Sequence, residues 1–290
     1  MLSYKQFKGE QHRGKKYRPT FIYTDFQNHS FCFHPSILSM FHVKHQKGQT
    51  DMHILVACEE SQRVTEEFRK RGHIAYSCDL LPTSGTHPEW HIQSDVLPLL
   101  NGDCNFQTMD GKHHTTIGRW DMIIAFPPCT HLTVSGAWCF AKKRANGVQR
   151  EGIEFFCQFL KADCERVVIE NPQGIISGEY IRKYFPDLCE KYGLPRPYTQ
   201  KIQPWWFGDN FSKTTCLWIK GLKPLVPEVI EEPEIKYYEW VDKNGKRKRQ
   251  DLYSYMALRN AKNSTERSII RSKTFPGIAR AMAEQWGKGE

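Results

Sequence analysis

The sequence predicts an α/β fold, a doubly wound parallel sheet with a small hairpin inserted near its C-terminal end. Three observations predict it. From Met52 onward short apolar runs alternate with stretches of helical periodicity. Each apolar run stops on polar or reactive residues. Beyond about Lys220 the alternation gives way to a proline-broken acidic stretch and then to a basic, aromatic hairpin signal.

The elements follow in order. "HILVA" (53–57) is a first strand, and "EESQRVTEEFRKRG" is a helix with Val64 and Phe68 at i, i+4 and Gly72 as its stop. "HIAYSCDL" is a second strand ending in Asp79. "HIQSDVLPLL" is a short third strand that ends at Asp95 and turns into a helical start. A polar loop bearing glycine and histidine leads to "WDMIIAF", the fourth strand. "GVQREGIEFFCQFLKA" is a helix with Ile153, Phe156, Phe159 and Leu160 on one face, and "RVVIEN" is the fifth strand. After the linker "LKPLVPEVIEEPE", Asn244-Gly245 between two aromatic-bearing stretches predicts a type I′ hairpin. "FPGIARAMAEQWG" is a closing helix opened by Pro276, with Ile278, Met282 and Trp286 on one face. This gives a basic N-terminal extension over 1–51, a core over 52–221, an insertion over 222–273 and a C-terminal helix over 274–290 that returns to the core.

Composition narrows the function classes. With 290 residues the chain can bury a large core without disulfide staples. Its ten cysteines include no C-x-x-C pair and follow no apolar leader, so the thiols are expected to be reduced and the protein cytoplasmic. No apolar run approaches the roughly 20 residues that cross a bilayer, so no membrane partner is expected. No Cys or His set has zinc-site spacing, so no metal is expected either. The net charge of +9 favours a polyanionic partner. Residues 1–51 carry eight Lys and Arg against three acids, and "MHILVACEES" starts afresh at Met52. The extension is therefore a nucleic-acid arm, a segment without a fixed fold, or sequence upstream of the true start.

In a doubly wound sheet, ligands bind beyond the carboxyl ends of the strands. Here those ends read Cys58-Glu59-Glu60, Cys78-Asp79-Leu80, Ser94-Asp95, Phe126-Pro127-Pro128-Cys129 and Glu170-Asn171-Pro172. Five such ends in a row predict one shared pocket. Asp79 stands where an acid hydrogen-bonds ribose hydroxyls, yet "VACEESQRV" lacks G-x-G-x-x-G. A nucleoside cofactor without a pyrophosphate needs no such cradle, and S-adenosylmethionine is one. Glu59 or Glu60 then meets its ammonium and Asp95 its adenine amino group, with Cys58, Leu80, Phe126 and Pro127 completing the site. Pro127 and Pro128 stop the fourth strand, so Cys129 projects over the sheet instead of packing inside it. A thiolate nucleophile needs a proton-handling partner, and Glu170 at the neighbouring strand end can serve.

These residues resemble the cytosine-5 DNA methyltransferase family. Pro128-Cys129 matches its Pro-Cys motif, Glu170-Asn171 its Glu-Asn motif, and "RSKTFPGIARAMAEQWG" its last motif. The set "VACEES", "PPCTHLTVSG", "IENPQGIIS", "KTTCLWIKGL" and "KTFPGIA" is similar to a divergent phage and bacterial group of that family. The resemblance implies a Rossmann-like S-adenosylmethionine-dependent methyltransferase fold, and DNA as partner of a monomeric enzyme. It also implies Cys129 as the thiolate that adds to C6 of cytosine, assisted by Glu170 and Asn171, with the methyl group placed on C5. The family's arginine motif should fall near residues 200–216, where only lysines occur. Segment 130–147, with Lys142, Lys143 and Arg144, is expected to be mobile and to close over a flipped base. The hairpin arm with Lys246, Arg247, Lys248 and Arg249 is expected to track phosphates. Three other readings stand beside this one: an amino-methylating enzyme that does not use Cys129, a non-catalytic DNA-binding protein on the same scaffold, and an enzyme acting on free nucleotides.

Overall fold

The structure, a computed structural model, describes residues 51–234 and 236–288. The expectations for the extension before residue 51 lie outside the described residues. Among the described residues, five strands form the parallel part of a seven-stranded sheet: β1 (His53–Ala57), β2 (Ile74–Asp79), β3 (His91–Gln93), β6 (Met122–Ala125) and β7 (Val167–Asn171). They lie in the order β3-β2-β1-β6-β7. Register is tight, with Ile54 facing both Ala75 and Met122, and Ile123 facing Val167. These five are the strands expected from sequence.

Two further strands extend the sheet beyond that expectation. β9 (Thr215–Lys220) runs antiparallel to β7, and β8 (Gln200–Ile202) pairs antiparallel with the outer edge of β9. Between β3 and β6, the stretch expected to be a loop contains the hairpin β4 (Cys104–Gln107) and β5 (His113–Thr116). The physical cause is visible in the residues. Cys104 and Phe106 alternate inward against the core while Asn105 and Gln107 face out, and Asp110-Gly111 makes the turn.

The central strands β1 and β6 are apolar on both faces, as a sheet covered by helices requires. On one side Leu55, Ala57, Ile123 and Ile169 meet Ile153, Phe156 and Phe159 of α3 (Val148–Leu160). On the other, Ile54, Val56, Met122 and Ile124 meet Val64 and Phe68 of α1 (Arg63–Lys70). That second face also takes Ile278, Met282 and Trp286 of α8 (Pro276–Trp286). At about 1.5–3 kcal/mol per fully buried large apolar side chain, these three contacts make α8 part of the core rather than a tail.

The insertion is more ordered than its sequence suggested. Besides the hairpin β10 (Tyr237–Val241) and β11 (Arg247–Asp251), it contains α6 (Leu252–Asn260) and α7 (Ser264–Ser272). Asn263 caps α7 by accepting from the Glu266 N–H, and the Glu266 carboxylate accepts in return from Lys262 N–H. The hairpin turn is not the expected type I′. Gly245 alone takes positive φ there, at 76°, and its N–H donates to the Asp242 carbonyl. The Asp242 carboxylate accepts from the N–H groups of Asn244 and Lys246, which holds Asn244 out of the left-handed region that type I′ demands of it.

Candidate active site

The strand order reverses between β1 and β6, so the cleft of a doubly wound sheet opens above their carboxyl ends. β1 ends there in Cys58-Glu59-Glu60, and β6 in Phe126-Pro127-Pro128-Cys129. The turn after β1 does without glycine what a glycine-rich turn does with it. Cys58 and Gln62 take φ of 58° and 59°, the left-handed region. The strain is held by buried contacts. The Glu59 side chain, 4% exposed, accepts from the N–H of Val64 at 2.7 Å and from the hydroxyl of Thr65 at 2.7 Å, capping α1. Burial raises its pKa to about 7, those hydrogen bonds opposing the rise.

Both Glu59 oxygens are thus committed to the helix, which leaves Glu60 as the acid of this turn for any ammonium at the rim. Its Oε2 accepts from Ser84 N–H at 3.2 Å. Its Oε1, in a residue 8% exposed, has no hydrogen-bond partner and lies 3.7 Å from Lys273 Nζ. Lys273 also donates to Ser84 Oγ at 2.8 Å, so the residues leading into α8 close over this rim. Asp79 and Asp95 reach the same place. Burial pushes the Cys58 thiol well up, and the charges of Asp79 and Asp95 add to the rise. Asp79 is itself raised, first by burial, with Glu60 contributing. Asp79 accepts from Leu81 N–H and Asp95 from Leu97 N–H, each fixing its own turn, while Leu80 is exposed. Three carboxylates from successive strand ends, Glu60 among them paired with Lys273 at 3.7 Å, make a donor set that suits a ligand bearing an ammonium, vicinal hydroxyls and an amino group.

Cys129 and Glu170 come together on the adjoining side. The Phe126 N–H donates to Ala57 O at 2.9 Å, the last rung before the prolines. Pro127 is buried, Pro128 exposed, and the partly buried Cys129 follows. Asn171, 2% exposed, donates from Nδ2 to the Pro127 carbonyl at 2.8 Å and ties the β7 end to the β6 end. Further along, Val134 N–H donates to Gln173 O and Ile175 N–H to Leu132 O. Gly174 is needed there, because a Cβ would stand 2.4 Å from Leu132 O. Burial raises the Cys129 thiol and the Glu170 charge raises it further, while Lys213 and Arg271 pull it down. Burial also raises Glu170, against Lys213 and a hydrogen bond from Thr215.

Lys213 and Arg271 are candidate site residues that the sequence did not mark. Lys213 Nζ donates to the Arg271 carbonyl at 2.9 Å, so α7 of the insertion sits beside the thiol and the carboxyl. Lys213 supplies positive charge within the stretch 200–216, and Arg271 adds it from α7. The one available signal was a lysine just before an apolar run, "SKTTCLWI".

The basic residues divide between two places. Segment 130–147, expected to be mobile, contains a 3-10 turn (Val134–Cys139) and a helix, α2 (Phe140–Ala145), anchored by buried Phe140. Lys142 on it is exposed. Lys143 Nζ folds back onto the Thr130 carbonyl, and Arg144 donates to the Tyr180 hydroxyl. Lys246, Arg247, Lys248 and Arg249 line the turn and β11, exposed beside Tyr237, Tyr238 and Trp240, with Arg249 4.9 Å above the Tyr237 ring. Among the described residues nine cysteines are unpaired, and no helix is long and apolar enough to cross a membrane. No protein-family model matches the chain, and no curated protein matches it either.

Proposed function

We propose that the protein is an S-adenosylmethionine-dependent DNA (cytosine-5) methyltransferase. The observation that carries the reading is the pairing of Cys129 with Glu170 beside the switch point, on strand ends bound together through Asn171 and Pro127. The reversed β9 departs from the six parallel strands of a dinucleotide-binding sheet, and the β1 turn lacks the glycine fingerprint. Both sit with a nucleoside cofactor that has no pyrophosphate. Asp79 would take its ribose hydroxyls, Asp95 its adenine amino group and Glu60 its ammonium. When bound, that cofactor supplies an electrophilic methyl group.

The chain's own residues do the rest. The Cys129 thiol, raised by burial and by Glu170, rests protonated at neutral pH. Lys213 and Arg271 favour its thiolate once a base displaces water from the cleft. The thiolate forms a bond to C6 of cytosine, and the electron pair of the C5–C6 bond moves toward C5 and N3. Glu170, its pKa raised by burial, hydrogen-bonds N3 and so offsets the charge that develops there. With a methyl group on C5, supplied by the cofactor and leaving it as the thioether, the C5 proton would pass to water and Cys129 would depart as thiolate, which restores the aromatic base. The Asn171 amide contacts only the Pro127 carbonyl among the described hydrogen bonds, so it positions Cys129 by fixing the proline turn. Lys213→Met tests the local arrangement: kcat should fall at least tenfold with DNA affinity within threefold, and an unchanged kcat would remove Lys213 from the site.

A further inference from the structure

Outside the catalytic rim, a groove of about 710 Å³ lies between α2 and the segment that follows β7. Trp138, Phe140, Arg144, Tyr180 and Tyr198 line it, and Gln173 and Gly174 reach it two and three residues after Asn171. Trp138 is 89% exposed, an extreme for an indole held in a structured turn. The recess continues, sharing Glu179 and Tyr180, into a shallower one of about 640 Å³ with Arg182, Lys183 and Tyr184 in α4 (Glu179–Tyr184). The Arg144 guanidinium carbon lies 3.9 Å from the centre of the Tyr184 ring. Along this path Arg144, Arg182 and Lys183 stand with one acid, Glu179, which pairs with Arg182 at 3.2 Å.

We infer that this groove binds single-stranded nucleic acid, taking two or three unstacked bases on Trp138, Tyr198 and Tyr180 while the cations follow the phosphates. Aromatic faces at intervals along a cationic groove are what sequence-tolerant single-strand binding uses, because every base has a π-face and every linkage a charge. A duplex keeps its bases stacked inside and cannot use Trp138. The groove leads away from the end of β7, which carries Glu170, so a strand entering it brings its neighbouring nucleotide to Cys129. The inference rests on the proposed function only for this last step. Base stacking and phosphate contact stand without methyl transfer.

The test uses the full chain and fluorescein-labelled oligodeoxythymidine of about twelve residues, beside oligouridine of equal length, read by anisotropy at low salt. Neither probe contains cytosine, so binding is scored apart from any reaction. Wild type should bind at least one of the two and should bind the matching duplex more weakly. Trp138→Ala should weaken single-strand binding about 5- to 150-fold, and Trp138→Phe should restore most of it. Since Trp138 is exposed, the variants should keep the wild-type melting temperature. If Trp138→Ala binds both probes as wild type does, the groove reading is overturned and the methyltransferase reading is untouched. Self-association of wild type that Trp138→Ala abolishes, with oligonucleotide binding unchanged, overturns it in favour of a protein partner. Trp138-dependent binding with no methyl transfer to cytosine-containing DNA keeps the groove and removes the chemistry.

Discussion

Replacing Glu59 by Gln tests how the turn after β1 is held. The wild-type carboxyl is 4% exposed, and burial raises its pKa from 4.5 to about 7 despite donors from Val64 and Thr65. Between those values the folded chain keeps a proton that the unfolded chain has released. Stability therefore falls as pH rises through the window. A gap of about 2.5 pH units at 1.36 kcal/mol each is about 3 kcal/mol, fully present below pH 4.5 and lost above about 7. Gln cannot titrate, so its stability lacks this slope. Its Nε2 cannot accept from Thr65, which costs about 1–2 kcal/mol at pH 5. Urea unfolding followed by tryptophan fluorescence at pH 5, 6, 7 and 8 gives the wild-type minus variant difference. It should favour wild type at pH 5 and shrink or reverse by pH 8. A difference constant with pH, or growing with it, would mean that the helix N-terminus keeps Glu59 ionised and that the burial argument is wrong.

Asn171→Ala leaves the Pro127 carbonyl buried without a donor, costing about 1–3 kcal/mol and so about 2–12 °C in melting temperature, measured by circular dichroism. Its kcat should fall by more than tenfold while cofactor affinity by calorimetry stays near wild type. Cys58→Gly should be tolerated within about 1 kcal/mol, relief of the left-handed strain offsetting the freedom of glycine, whereas Cys58→Val should cost about 1–2 kcal/mol in urea titrations. Alkylation of Cys129 by iodoacetamide at pH 8, followed by mass spectrometry of its peptide, should speed up in Glu170→Gln and slow down in Lys213→Met. Equal rates in all three proteins would separate these groups from the thiol.

Much of this architecture was legible because its signals are local. β1, β6 and β7 are built on continuous apolar runs, and the faces of α1, α3 and α8 repeat at helical spacing. Cys129 and Glu170 were marked because each stands just past such a run. The rest depended on contacts between distant segments. β8 is three residues long and exists through its pairing with β9, which itself lies reversed between β7 and β8. Lys213 reaches the thiol only because α7 folds back across the rim. Cys58 gave no sign of positive φ, since that conformation is imposed by the Glu59 cap and not by the residue. The hairpin turn was misjudged because Asp242, not Asn244, organises it.

The central claim is that Cys129 attacks cytosine and that the methyl group arrives at C5. Wild type and Cys129→Ser are incubated with methyl-labelled S-adenosylmethionine and cytosine-containing DNA, duplex and single-stranded, and the DNA is digested to nucleosides for mass spectrometry. Labelled 5-methyldeoxycytidine from wild type, and none from Cys129→Ser, is the predicted result. Label on an exocyclic amino group, or transfer undiminished in Cys129→Ser, would contradict it.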